Sequence, residues 1–181
     1  MADLSAVRQS PLLDLPSGVQ LLPPASRFTL RGLVPVMAAA GAALGLNISN
    51  LACRSDTHSQ RSALWMGPDE QLLLAPVTDG GAVATQVREA LGALPHSLVD
   101  VSHRQLALEV SGPTAQTLLS AGCPLDLHPS AFPIGMCTRT VLGKADIVLW
   151  RTGADSFHVE VWRSFADYVA RFLTEAAREL A

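Results

Sequence analysis

Apolar and polar positions alternate along two neighbouring stretches of the chain. Val99 and Val101 alternate with Asp100 and Ser102, and Leu106, Leu108 and Val110 alternate with Ala107, Glu109 and Ser111. A period of two marks a strand with one face buried. Gly112-Pro113 ends the second stretch, and Pro113 suits the first position of a helix, where its missing N–H would be unpaired in any case. That helix carries Ala115, Leu118 and Leu119 and closes at Gly122. Strand, strand and helix over residues 97–119 form the unit around which the remaining pattern is arranged.

Residues 1–25 set Pro11, Pro16, Pro23 and Pro24 among leucines, which predicts an extended arm lying on a surface, its own or a partner's. Residues 26–32 alternate as a strand, and the alanine-rich stretch 36–44 reads as a helix stopped by Gly45. Residues 47–61 are polar and without period. Ser62–Met66 and Gln71–Ala75 flank Gly67-Pro68-Asp69-Glu70 and predict a hairpin. Asp79 stands where it would cap a helix carrying Val83, Val87, Leu91 and Leu94, which Pro95 ends. With the strand at 98–102 the order is βαββαβ, that of the ferredoxin-like split βαβ.

The rest predicts a strand at 105–111, a helix at 113–121, an irregular stretch, strands near 138–143, 145–151 and 156–162, and a last helix. In that helix Phe165, Tyr168, Val169, Phe172, Leu173 and Ala176 share one face, with Ser164 and Asp167 placed as a capping box. The expected fold is therefore α+β, with two intimately packed ferredoxin-like βαββαβ-type halves. The arm spans 1–25, the first half 26–103 and the second 104–181.

Composition narrows the function classes. At 181 residues the chain is 49% hydrophobic and 16% charged, which fits a globular protein with surface to cover. Net charge is −3 and Lys144 is the only lysine, so no basic footprint for nucleic acid is present. The N-terminus lacks a signal-peptide pattern, and the apolar run 33–46 is short for a membrane span and broken by Pro35. A soluble, cytoplasmic protein is expected. Cys53, Cys123 and Cys137 are odd in number and far apart, which argues against a disulfide framework and a redox centre.

Asp100, Ser102 and His103 contain the residue types of a catalytic triad. In a strand, however, Asp100 and Ser102 point to one face and His103 to the other, and no G-x-S-x-G elbow occurs. Cys123, Asp126 and His128 lack the second ligand pair of a zinc site. Neither G-x-G-x-x-G nor a P-loop is found, so no bound cofactor or metal is expected. Arg104, Arg139, Arg151 and Arg163 recur near strand ends, with Trp150 and Trp162 beside two of them. A solvated rim is one reading; a protein interface, where Arg and Trp supply anchoring contacts, is the favoured one.

The run Val99-Asp-Val-Ser-His-Arg-Gln105 followed by Val110-Ser-Gly-Pro113 resembles the core motif of the folate-binding aminomethyltransferase superfamily. Gly122-Cys-Pro-Leu-Asp-Leu127, Phe132-Pro-Ile-Gly135, Cys137-Thr-Arg-Thr140, Leu149-Trp-Arg151 and Val159-Glu-Val-Trp-Arg-Ser-Phe-Ala166 are similar to the gamma-subunit family of heterotetrameric sarcosine oxidase. The resemblance is dense from about residue 62 onward. It implies the folate-binding-domain fold of the aminomethyltransferases and a non-catalytic subunit working in assembly. The whole enzyme would demethylate sarcosine to glycine, reduce O₂ to hydrogen peroxide and pass the one-carbon unit to tetrahydrofolate. The resemblance also implies alpha, beta and delta partners, with FAD, FMN and NAD in the large alpha and beta subunits, zinc in delta, and tetrahydrofolate in the partner subunits. The alternative is a stand-alone folate-binding aminomethyltransferase, in which Asp100 would pair with the pterin.

Overall fold

Two antiparallel sheets of five strands each and four α-helices are formed by residues 13–49 and 51–180, the part described in a computed structural model. Residues 1–12 of the predicted arm lie outside the described residues. The elements are β1 (Val19–Leu21), β2 (Ala25–Gly32), α1 (Val34–Leu44), β3 (Ser55–His58), β4 (Arg61–Gly67), β5 (Glu70–Pro76), α2 (Gly80–Leu91) and β6 (His96–Asp100). There follow β7 (Gln105–Ser111), α3 (Ala115–Ser120), β8 (Cys137–Leu142), β9 (Ala145–Gly153), β10 (Ser156–Trp162) and α4 (Ala166–Arg178). The chain divides into a unit of residues 25–102 with 135–138 and a unit of residues 13–24, 103–134 and 139–180.

In the first unit the strand order is β3-β4-β5-β2-β6. Its last four strands have the ferredoxin-like arrangement, with β3 added at the edge. Phe28, Leu30, Leu73 and Ala75 on one sheet face meet Val36, Met37 and Ala40 of α1 and Val83, Val87 and Leu91 of α2. Gly45 ends α1 at a φ of 70°, a left-handed stop that donates its N–H to Gly41 O. The polar stretch after α1 contains β3, which carries no hydrophobic period because it is an edge strand with half-exposed or exposed side chains. Polar contacts hold it: Asn47 N–H to Asp56 at 2.7 Å, and Thr57 Oγ1 to Ser62 Oγ at 3.0 Å.

Three local expectations are corrected here. Val99 is 50% exposed, because the register sets Leu98 opposite Leu30 and Val99 opposite Thr29 on an edge strand. Asp79 does not cap α2 with its side chain; it ends a 3₁₀ turn (Val77–Asp79) with helical φ and ψ, away from the extended backbone that an N-cap uses, and Arg61 takes its carboxylate. The strand at 105–111, read as half-buried, is buried on both faces at Gln105–Leu108.

The second unit orders its strands β1-β7-β10-β9-β8, the counterpart of β6-β2-β5-β4-β3. Its fourth ferredoxin-like strand is supplied from the N-terminal side: β1 runs antiparallel to β7, with Val19 opposite Val110 and Leu21 opposite Leu108. Gly18 makes this entry possible, since its φ is 79° and a Cβ there would stand 2.6 Å from Ser111 O. Helix α4 buries Ala166, Val169, Ala170 and Leu173, and the Tyr168 hydroxyl accepts the Lys144 N–H at 3.0 Å. The capping box at its start does not form; Asp167 pairs instead with Arg171, one turn on, in solvent.

Candidate functional site

Strand β6 stops at Asp100, and the chain turns at Ser102–Arg104 before β7 begins. Asp100 Oδ1 accepts the Ser102 N–H at 2.9 Å and the Ser102 hydroxyl at 2.5 Å. Ser102 Oγ in turn accepts the Arg27 N–H at 2.9 Å. Asp100 and His103 are exposed. The three residues therefore close a turn: the carboxylate organises backbone donors and the serine links the turn to β2. No hydrogen bond joins the His103 ring to Ser102 among these contacts, so the imidazole is not paired with the hydroxyl as the triad reading requires.

Arg151 is 2% exposed. Its guanidinium donates to Leu127 O at 2.9 Å, Phe132 O at 3.1 Å and Gly153 O at 3.2 Å, and also to Ala154 O. The Phe157 ring lies 5.0 Å away, within cation–π range. The arginine thus pins the irregular stretch 127–132 to the β9–β10 turn, and its charge faces its own unit. Next to it the Trp150 and His158 rings meet tilted at 51° with centroids 5.5 Å apart, and His158 Nε2 lies 2.9 Å from Glu160, which is fully buried. The Trp150 Nε1 is buried without an acceptor.

Arg104, Trp162 and Arg163 are brought together by strand pairing. Trp162 sits opposite Gln105, and the Arg163 N–H donates to Arg104 O at 3.0 Å. The Arg104 guanidinium lies 5.6 Å from the Trp162 ring centroid. Trp162 is 44% exposed and Phe165, after the 3₁₀ turn Arg163–Phe165, is 38% exposed. Arg139 is exposed on β8, the far edge strand of the same sheet.

Two clefts open on the first unit. One, of about 410 Å³, is lined by Leu44, His58, Ser59, Arg61, Thr78 and Asp79. Arg61 grips Asp79 at 2.6 and 3.0 Å and donates to Gln86 at 2.9 Å, so its charge is already answered, and the guanidinium holds the Asp79 carboxyl below the usual range. The other, of about 420 Å³, is lined by Leu33, Pro35, Val36, Leu94, Pro95 and His96 and is largely apolar. Cys123, Asp126 and His128 do not converge. Asp126 accepts the His128 N–H, His128 Nδ1 meets Ser130 Oγ, and Cys123 Sγ lies 3.8 Å from Thr140 Oγ1. Among the described residues no group of three or more His, Cys, Asp or Glu could hold a metal ion.

Buried charges escaped the sequence reading. Arg27, 2% exposed, stands at a polar position of an alternating strand, and Glu70, 5% exposed, opens β5 rather than lying in the predicted hairpin turn.

The order and pairing of these elements define an α+β protein with the fold seen in the aminomethyltransferases. Aminomethyltransferase T of the glycine cleavage system from Bartonella henselae superposes with a TM-score of 0.67 over 89% of this chain and 46% of that one, at 13% identity, a likeness of fold alone. Residues 32–179 match the model of the sarcosine oxidase, gamma subunit family. The chain belongs to that family. A sarcosine oxidase subunit gamma from Corynebacterium sp. (strain P-1) is 38% identical over 120 residues, which is 66% of this chain and 58% of that protein. One from Arthrobacter sp. is 37% identical over 145 residues, 80% of this chain and 70% of its own. The chain thus spans less than two thirds of the Corynebacterium P-1 relative. A chain of the heterotetrameric sarcosine oxidase from Corynebacterium sp. U-96, solved in complex with pyrrole 2-carboxylate, superposes with a TM-score of 0.83 at 30% identity over 89% of this chain and 83% of that one.

Proposed function

We propose that this chain is the gamma subunit of a heterotetrameric sarcosine oxidase, and that it serves the complex by assembly and stability rather than by chemistry. The family match over residues 32–179 carries the reading. The complex would oxidise sarcosine to glycine, reduce O₂ to hydrogen peroxide and pass the one-carbon unit to tetrahydrofolate. FAD, FMN, NAD, tetrahydrofolate and zinc would reside in the alpha, beta and delta partners. No helix among the described residues is long and apolar enough to cross a membrane, and the reading places the complex in the cytoplasm.

Two local arrangements support a non-catalytic role. Asp100 and Ser102 are committed to each other and to β2, and the surface of Arg104, Trp162, Arg163 and Phe165 has the side-chain types that anchor protein contacts. Arg139 and Trp150 remain candidates for the same use, whereas Arg151 has no exposed surface to give a partner. A free-standing folate-binding aminomethyltransferase is not favoured, since the likeness to that enzyme is one of fold. Co-expression of a tagged copy of this chain with the three other subunits tests the proposal. Recovery of all four together, with turnover that depends on the chain only through the amount of complex, is expected. Full assembly without the chain, or stoichiometric folate on the chain alone, would overturn it.

A further inference from the structure

Cys53 and Cys137 stand far apart in the sequence but meet at the edge of the first unit's sheet. Arg54 and Met136 form an antiparallel bridge, flanked by the Ser55 N–H donating to Gly135 O at 2.9 Å and the Cys137 N–H donating to Cys53 O at 3.1 Å. Across this bridge Cys53 stands opposite Cys137, joined to it by the single Cys137 N–H to Cys53 O hydrogen bond. Antiparallel neighbours joined by such a bond have Cα atoms about 5.5 Å apart, within the span of a disulfide, which also requires the two Cβ atoms to close to about 4 Å. Cys53 has a left-handed φ of 58°, uncommon outside glycine. It is half-buried while Cys137 is fully buried, so a soluble oxidant meets Cys53 first.

We infer that Cys53 and Cys137 form a redox-active thiol pair, in which Cys53 reacts with an oxidant and Cys137 resolves the product as an intrachain disulfide that fixes residues 135–138 to the turn preceding β3. With hydrogen peroxide, the Cys53 thiolate attacks one oxygen, the O–O bond breaks, and the departing hydroxide is protonated to water. Cys137 then attacks the sulfenic sulfur, the S–O bond breaks, and the Cys137 proton leaves with the hydroxide as a second water. Two thiols are oxidised and one peroxide is reduced. Closure requires Cys137 to leave its weak contact with Trp65 O, at 3.8 Å. Burial pushes the Cys137 thiol up to about 12, so the resolving step is slow at neutral pH and quickens with alkalinity.

Ellman's reagent reports both steps on the full chain. The wild type should release two equivalents of thionitrobenzoate from this pair, a fast one from Cys53 and a slow one as Cys137 displaces the Cys53 adduct. The slow phase should rise close to tenfold per pH unit between about pH 7 and 9, as the thiolate fraction of a thiol ionising far above that range does. Peptide mapping without reductant should find residues 53 and 137 joined, and C53S should release neither equivalent from the native chain. A lasting adduct on Cys53 beside a reduced Cys137, or a bridge to Cys123, would overturn the pairing. Only the choice of peroxide as oxidant rests on the proposed function. The same bridge formed by hydrogen peroxide supports that choice, and closure by Ellman's reagent but not by peroxide overturns it while leaving the pair standing.

Discussion

Replacing Arg151 by methionine tests whether one buried guanidinium holds the irregular stretch between α3 and β8. The side chain gives its two innermost hydrogen bonds to Leu127 O and Phe132 O, at 2.9 and 3.1 Å. Hydrogen bonds from a charged donor contribute about 1.5–3 kcal/mol each, and the substitution also leaves both carbonyls buried without a partner. Methionine restores much of the volume and removes the cost of burying a charge, which offsets part of the loss. A net destabilisation of about 3–4 kcal/mol follows, or roughly 6–15 °C in melting temperature for a chain of this size. Arg151→Lys should recover little, since an ammonium cannot reach carbonyls on both sides as the planar fork does. Thermal unfolding by circular dichroism gives the size of the effect, and hydrogen exchange over residues 127–133 gives its place. A loss under about 1 kcal/mol, or a larger loss with unchanged protection of that stretch, would refute the reasoning.

Gly143→Ala should destabilise by about 1–3 kcal/mol, because φ is 61° and the new Cβ would stand 2.4 Å from the Tyr168 hydroxyl; urea unfolding measures it. Asp100→Ala should cost about 1 kcal/mol through the lost Ser102 contacts while turnover per intact complex is kept, and Asp100→Asn should stay near wild type because its amide oxygen still accepts. The depressed Asp79 carboxyl contributes stability that is full above its unfolded-state value and lost as pH falls through its lower folded value, so Asp79→Asn should flatten the stability profile below about pH 4 in acid titrations. Trp162→Ala should leave the melting temperature of the chain within a few degrees and weaken recovery of the other subunits in co-purification.

The last helix and the β4–β5 hairpin were legible because each carries its own period and punctuation: Tyr168, Val169, Phe172 and Leu173 at helical spacing, and Gly67-Pro68-Asp69 at a turn. β3 was not, since an edge strand with polar side chains has no hydrophobic period to read. β1 is three residues among prolines, and its partner β7 lies beyond the whole first unit. Alternation assigned Arg27 to solvent, yet the sheet is buried on both faces there, a circumstance that one strand's pattern does not encode. The same holds for the site residues. Arg104 and Trp162 are neighbours only through the β7–β10 register, and Cys53 and Cys137 only through a bridge between two irregular segments.

The position of β1 beside β7 has a consequence for synthesis on the ribosome. Residues 25–102 are contiguous and contain five strands and both of their helices, so this part of the chain can collapse as it emerges. Val19–Leu21 leaves the tunnel earlier still, yet the strand it pairs with has not been made. It must therefore wait, apolar and unpaired, through the folding of everything that directly follows it, and long-range pairings of this kind form late and slowly. The flanking prolines at 16, 23 and 24 lack the N–H groups through which a waiting strand would add to a foreign sheet edge, and so guard the segment during its delay.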